Sequence, residues 1–146
     1  MNVTDLISMS VGILYLIPLV FYFIAHDPIH LMAFIGTGAT TIISESIKYV
    51  LGKVSPRPEG AKNCNLLCND GNQSGQPGMP SSHSATVAFF SAFYFQETNN
   101  IWIKTILVGY AGLVMASRYM KRCHTINQII GGAILGVSLS LLVRHL

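Results

Sequence analysis

The chain has 146 residues, a length that fits one domain. It is 51% hydrophobic and only 10% charged, against roughly 25% charged for a soluble domain. That deficit, with long uncharged runs, excludes an ordinary soluble protein and points to an integral membrane chain. The formal net charge of +3 is small and gives no ground for a nucleic-acid partner. Its placement is more informative than its size.

In chain order, Met1 to Ser10 carries Asp5 and no basic residue, so it does not read as a secretory signal. Leu6 to Ala25 is an apolar run of about the length that spans a bilayer. His26-Asp27-Pro28 breaks it, and His30 to Leu51 forms a second span with Glu45 and Lys48 near its far end. Gly52 to Met79 is a long loop rich in Pro, Gly, Asn and Ser, read as a cover over a site. Ser81 or Ser82 opens a third helix running to about Gln96, short for a span and in need of tilt or burial. Glu97 to Asn100 is a polar turn, Ile101 to Ser117 a fourth span and His124 to Val143 a fifth. In the fifth span Gly132 and Gly136, with Gly131 beside them, have the spacing that lets helices pack closely. The predicted fold is therefore an all-α membrane bundle of about five transmembrane helices, forming a single domain over residues 1–146.

Five crossings place Lys48, Arg57, His83, Arg118 and His124 on one side of the membrane. Seven of the nine Lys and Arg residues lie within Lys48 to Lys62 or Arg118 to Arg122. Such clusters fit an anionic substrate, or the positive-inside topology signal. Both flank a histidine, which favours the substrate.

Phosphoryl transfer needs charge on the equatorial oxygens, an in-line nucleophile and a proton for the leaving oxygen. Arg57 and Arg118 suit paired N–H contacts to phosphate, and Lys48 adds a point charge. Ser81 and Ser82 sit where a helix N-terminus offers an anion site. His124 is the candidate nucleophile. Gln128, four residues on and expected on the same helix face, is the candidate to hold its ring. His83 is the candidate acid and base. These cations supply the charge without a metal or other cofactor. Cys123 beside His124 gives no metal site, because acidic or further cysteine ligands are lacking nearby. His26, His30 and His145 have no such company and read as interfacial.

Three stretches carry a resemblance: Lys48 through Arg57-Pro58; Pro80-Ser81-Ser82-His83; and Ser117-Arg118 followed, after five residues, by His124. In this order they resemble the signature of the type 2 phosphatidic acid phosphatase (PAP2) superfamily, over Lys48 to Gly136. The resemblance implies a membrane helical bundle and a metal-independent lipid phosphatase working through a phosphohistidine on His124. The sequence departs from the pattern in three places. Eight residues rather than six separate Lys48 from Arg57, with Lys53 a rival for the lysine role; Ser82 replaces a glycine; and Gln128 replaces an aspartate. The two replacements, with Gly78-Met79-Pro80 before the serines, look like the dolichyl-diphosphatase branch and suggest a polyprenyl diphosphate. The family usually has six spans. A non-catalytic relative that binds anionic lipid head groups, or a lipid phosphotransferase, is the alternative.

Orientation is expected from opposed signals. The basic excess points to the cytoplasm. The sequons Asn2-Val3-Thr4 and Asn72-Gln73-Ser74 lean towards a lumenal site, in the endoplasmic reticulum or another endomembrane. Cys64 and Cys68 fit either a disulfide in an oxidising lumen or two free thiols. Expected partners are a lipid phosphate substrate and membrane lipids. Oligomeric state is left open.

Overall fold

Helix starts fall where the sequence supplies a cap. A computed structural model describes residues 2–146. Asn2 opens α1, Val3–Met9, and a 3-10 turn at Ser10–Gly12 joins it to α2, Ile13–Ala25. His26 ends that run in a left-handed conformation. Asp27 then accepts the Ile29 N–H at 3.0 Å, with Pro28 at the first helical position, and starts α3, Pro28–Leu51. Gly52, at φ 52°, stops α3. Ser81 caps α4, Ser82–Glu97; Asn100 caps α5, Ile101–Met120; and Thr125 caps α6, Ile126–Arg144.

The chain thus makes five helical passes, counting α1 and α2 as one, and no strand is present among the described residues. Three of these stretches, Val3–Ala25, Ile101–Met120 and Ile126–Arg144, are long and apolar enough to cross a membrane. The polarity of α3 is inverted relative to a soluble helix. It buries Gly36, Thr37, Thr40, Ser44 and Lys48, while Ile35, Ile42, Tyr49 and Val50 face outward. Polar residues inside and aliphatic ones outside suit a lipid surround.

The short helix α4 is the centre of the bundle, packed by α3, α5 and α6. Burial accommodates this 16-residue helix: Ala85, Val87, Phe89 and Phe93 are enclosed. The closest packing is with α6. A Cβ on Gly132 would lie 2.4 Å from the Ser81 carbonyl oxygen, and one on Gly136 would lie 2.1 Å from that of Ala85. The small-residue spacing read from the sequence is therefore an α4–α6 contact. On α3, Gly36 likewise admits the ring of Phe89.

The long connection before α4 is ordered by its own backbone. Arg57 N–H donates to Gln76 O at 2.7 Å, Gly78 N–H to Ser55 O at 3.0 Å and Asn63 N–H to Gly71 O at 2.8 Å. A disulfide then ties this loop to the α5–α6 turn, and it matches neither alternative read from the sequence, a Cys64–Cys68 bond or two free thiols. Cys64 bonds to Cys123, 59 residues away, while Cys68 is free. Proximity in sequence suggested Cys68. The fold instead lays the loop over the α5–α6 turn, where Cys123 is fully buried.

Candidate active site

Five sequence-predicted residues, Lys48, Arg57, Ser82, His83 and His124, line one cavity of about 390 Å³. Lys48 comes from the end of α3, Arg57 from the loop, Ser82 and His83 from the first turn of α4, and His124 from the α5–α6 turn. Arg118, near the end of α5, is fully buried and reaches Cys64, itself part of the cavity wall. Lys53 is exposed and does not line this cavity, whereas Lys48 does.

His124 does not lie on a helix with Gln128, as expected. It precedes the cap Thr125 of α6, and Gln128 is the third residue of that helix. The contact forms through the cap. Gln128 Oε1 accepts the Thr125 N–H at 3.1 Å and the His124 Nδ1–H at 3.2 Å. Gly78 O accepts the same Nδ1 proton at 3.0 Å. Gln128 Nε2 donates to Ser55 O, Ser55 Oγ and Pro56 O at 2.9 to 3.1 Å. Three acceptors on one end and a backbone N–H on the other fix the amide orientation. With acceptors on Nδ1, the proton resides there, and Nε2 keeps its lone pair. Burial pushes the His124 imidazolium well below the ordinary histidine range; the charges of Arg57, Arg118 and Lys48 push it further, and the Gln128 hydrogen bond opposes them. The ring is thus held in its neutral form.

The cations leave donors unspent. Arg57 Nε reaches Pro77 O at 3.4 Å, but its Nη1 is buried without a partner. Arg118 donates from Nη1 to Ser8 Oγ and from Nη2 to Cys64 O, and its Nε is likewise without a partner. His83 Nε2 is in the same condition. Of four buried side-chain polar atoms without a hydrogen-bond partner among the described residues, these are three; the fourth is Ser91 Oγ. Buried polar atoms are rarely left so. Two of them, on the phosphate-site candidates Arg57 and Arg118, are N–H donors that fit an anion.

The two serines have different tasks. Ser81 Oγ accepts the Ser84 N–H at 3.4 Å and the Ser84 hydroxyl at 3.0 Å, and it is fully buried. Its side chain caps α4 and does not line the cavity. Ser82 does, but its hydroxyl donates to Glu45 Oε1 and accepts from Lys48 Nζ at 2.9 Å.

The sequence model of the PAP2 superfamily matches residues 29–146. The chain belongs to the PAP2 superfamily. Among curated proteins it is similar to two from Arabidopsis thaliana. It is 28% identical over 119 residues to "Lipid phosphate phosphatase epsilon 2, chloroplastic", covering 76% of this chain and 37% of that one. It is 29% identical over 120 residues to "Lipid phosphate phosphatase epsilon 1, chloroplastic", covering 76% and 38%. The chain therefore spans under two-fifths of the length of these relatives. No solved structure matches it.

Within this PAP2 chain, several residues at the site were not assigned from sequence. Asp70 and Asn65 line the cavity from the loop, and Tyr15, Thr41 and Thr86 from α2, α3 and α4. The last three form a hydroxyl chain, Tyr15 to Thr41 at 2.5 Å and Thr41 to Thr86 at 2.9 Å. The hydroxyl stripe Thr37, Thr40, Thr41, Ser44 along an apolar helix was the available signal. A larger cavity of about 690 Å³ lies against His124 as well, lined by Pro58, Glu59, Tyr119, Arg122 and Asn127. Of the phosphate-binding candidates, Lys48, Arg57 and Ser82 line the smaller cavity and none lines the larger.

Proposed function

We propose that the chain is a lipid phosphatase that transfers the phosphoryl group of its substrate to His124 and then to water. The observation that carries this reading is the set of buried, unpartnered nitrogens on Arg57, Arg118 and His83, around a histidine whose Nδ1 is already engaged. In this account, Lys48, Arg57 and Arg118 neutralise the phosphate oxygens. His124 Nε2 attacks phosphorus, forming an N–P bond as the bond from phosphorus to the leaving oxygen breaks. His83 gives a proton to that oxygen, then takes one from the water that cleaves the N–P bond. Gln128 keeps the nucleophile's tautomer. The main-chain N–H groups of Ser82 and His83, in the first turn of α4, face the same anion.

The substrate proposed is a polyprenyl diphosphate of the dolichyl type. Ser82 and Gln128, which replace the more common glycine and aspartate, support this choice over a glycerolipid phosphate. The reaction is proposed to need no metal or other cofactor, since three cations surround the two histidines. The Cys64–Cys123 bond favours a site facing an oxidising compartment, such as an endoplasmic reticulum lumen.

The test is phosphate release by detergent-solubilised protein in EDTA, from farnesyl diphosphate and from phosphatidic acid, with His124→Ala in parallel. Release from the diphosphate alone, lost in the variant, is the expected result. Release from phosphatidic acid instead overturns the substrate. Strict dependence on magnesium overturns the metal-independent mechanism. Absence of release from either, in folded protein, points to a head-group binder.

A further inference from the structure

Glu45 is the one acid on the outward surface of the second half of α3. Its neighbours there, Ile42, Tyr49 and Val50, are exposed and apolar, and its own side chain is 55% exposed. A carboxylate at such a position is costly in a membrane setting and is usually retained for function. Its partner Lys48, three residues on, is buried, so this is not a surface ion pair. Side-chain pairing along α3 alone does not account for the carboxylate.

Its contacts do. One oxygen, Oε1, accepts from Lys48 Nζ at 2.6 Å and from the Ser82 hydroxyl. Lys48 Nζ also donates to Ser82 Oγ at 2.9 Å. The three groups form a closed triangle between the end of α3 and the start of α4, and all three residues line the site cavity. An ammonium has three N–H donors. Two are spent within the triangle, and the third is left for the cavity. The Ser82 hydroxyl gives its only proton to Glu45, so it has none for a phosphate. A lysine side chain is otherwise a flexible tether with many rotamers.

We propose that Glu45 is a positioning residue for phosphate capture, holding Lys48 and Ser82 so that the ammonium presents its remaining N–H to the substrate phosphate. This rests on the phosphatase reading above and assigns to Glu45 a role that acts through Lys48. Ser82 completes the triangle and contributes to the anion through its main chain.

The test is binding of inorganic orthovanadate, a phosphate mimic that requires no turnover, to solubilised wild type, Glu45→Gln, Lys48→Met and the double variant. The KM and kcat for the lipid substrate are measured beside it. Glu45→Gln is isosteric and at a half-exposed position; Glu45→Ala serves as a second variant if it does not fold. The proposal expects Glu45→Gln to weaken vanadate and raise KM by roughly tenfold, as loss of a charge-assisted contact does. It expects no further effect in the Lys48→Met background, the non-additivity of residues acting as a unit. An unchanged affinity overturns it, as does a tighter one, which would make Glu45 a competing anion. An equal loss with and without Lys48 also overturns it, since that is a structural role. Wild type that binds vanadate but releases no lipid phosphate defeats the phosphatase reading while the binding comparison still judges Glu45. Wild type that binds no vanadate defeats both.

Discussion

Gln128 and His124 are joined at 3.2 Å by a hydrogen bond from the ring Nδ1–H to the amide Oε1, across the N-terminal cap of α6. The other end of the amide donates to Ser55 and Pro56. One side chain thus ties the loop before α4 to the candidate nucleophile. A carboxylate performs only half of this. It holds the ring, but turns an acceptor towards two carbonyl oxygens.

Replacing Gln128 by Glu tests that point with an isostere. Leaving buried acceptors opposed and unpaired costs about 1–3 kcal/mol, so the thermal midpoint of Gln128→Glu falls. Turnover falls with it, because loop and ring lose their common anchor. Equal stability and activity in the two proteins would show that the donor end of Gln128 is dispensable.

The disulfide makes a second prediction. Cys123 immediately precedes His124, and Cys64 gives its carbonyl to Arg118 and its N–H to Asp70 at 2.6 Å. Cross-links of this kind typically contribute about 2–4 kcal/mol. Cys64→Ser or Cys123→Ser should therefore lower both stability and kcat/KM, as should dithiothreitol on wild type. Cys68→Ser should leave both unchanged and should not abolish the effect of dithiothreitol. Mass mapping of a Cys64–Cys68 peptide instead would contradict the fold of the loop.

A third prediction concerns pH. Burial first, then the charges of Arg57, Arg118 and Lys48, depress the His124 pKa. A depressed pKa means that the ring keeps its Nε2 lone pair as pH falls past the point where a free histidine is protonated. The acid limb of kcat/KM, which reports groups on the free enzyme, should then lie below the ordinary histidine value of about 6.5. Arg57→Met removes one of the opposing charges and should move the limb to higher pH, whatever it does to the rate. A limb at or above the ordinary value in wild type would contradict a neutral, buried nucleophile.

Much of this arrangement is legible in the sequence for physical reasons. Spans and caps are local: Asp27-Pro28, Ser81, Asn100 and Thr125 announce helix starts, and long apolar runs announce the passes. The common membrane side of Lys48, Arg57, His83, Arg118 and His124 follows from counting those passes. What the sequence hid depends on how the irregular loop folds. Cys64 lies close in sequence to Cys68, yet the loop carries it to Cys123. Ser81 and Ser82 look equivalent in a string, but one caps α4 and the other enters the Glu45–Lys48 triangle. His124 and Gln128 have helical spacing, and they do meet, but through a capping box and not along a helix face.

The central claim is that His124 Nε2 carries the phosphoryl group. The most direct measurement is a rapid quench of the solubilised protein with a 32P-labelled lipid diphosphate in EDTA, followed by peptide mapping. The account predicts an acid-labile, base-stable label on the peptide containing His124, absent in His124→Ala and both formed and lost more slowly in His83→Ala, which lacks the acid of the first step and the base of the second. Steady phosphate release with no label on that peptide at any quench time would contradict it.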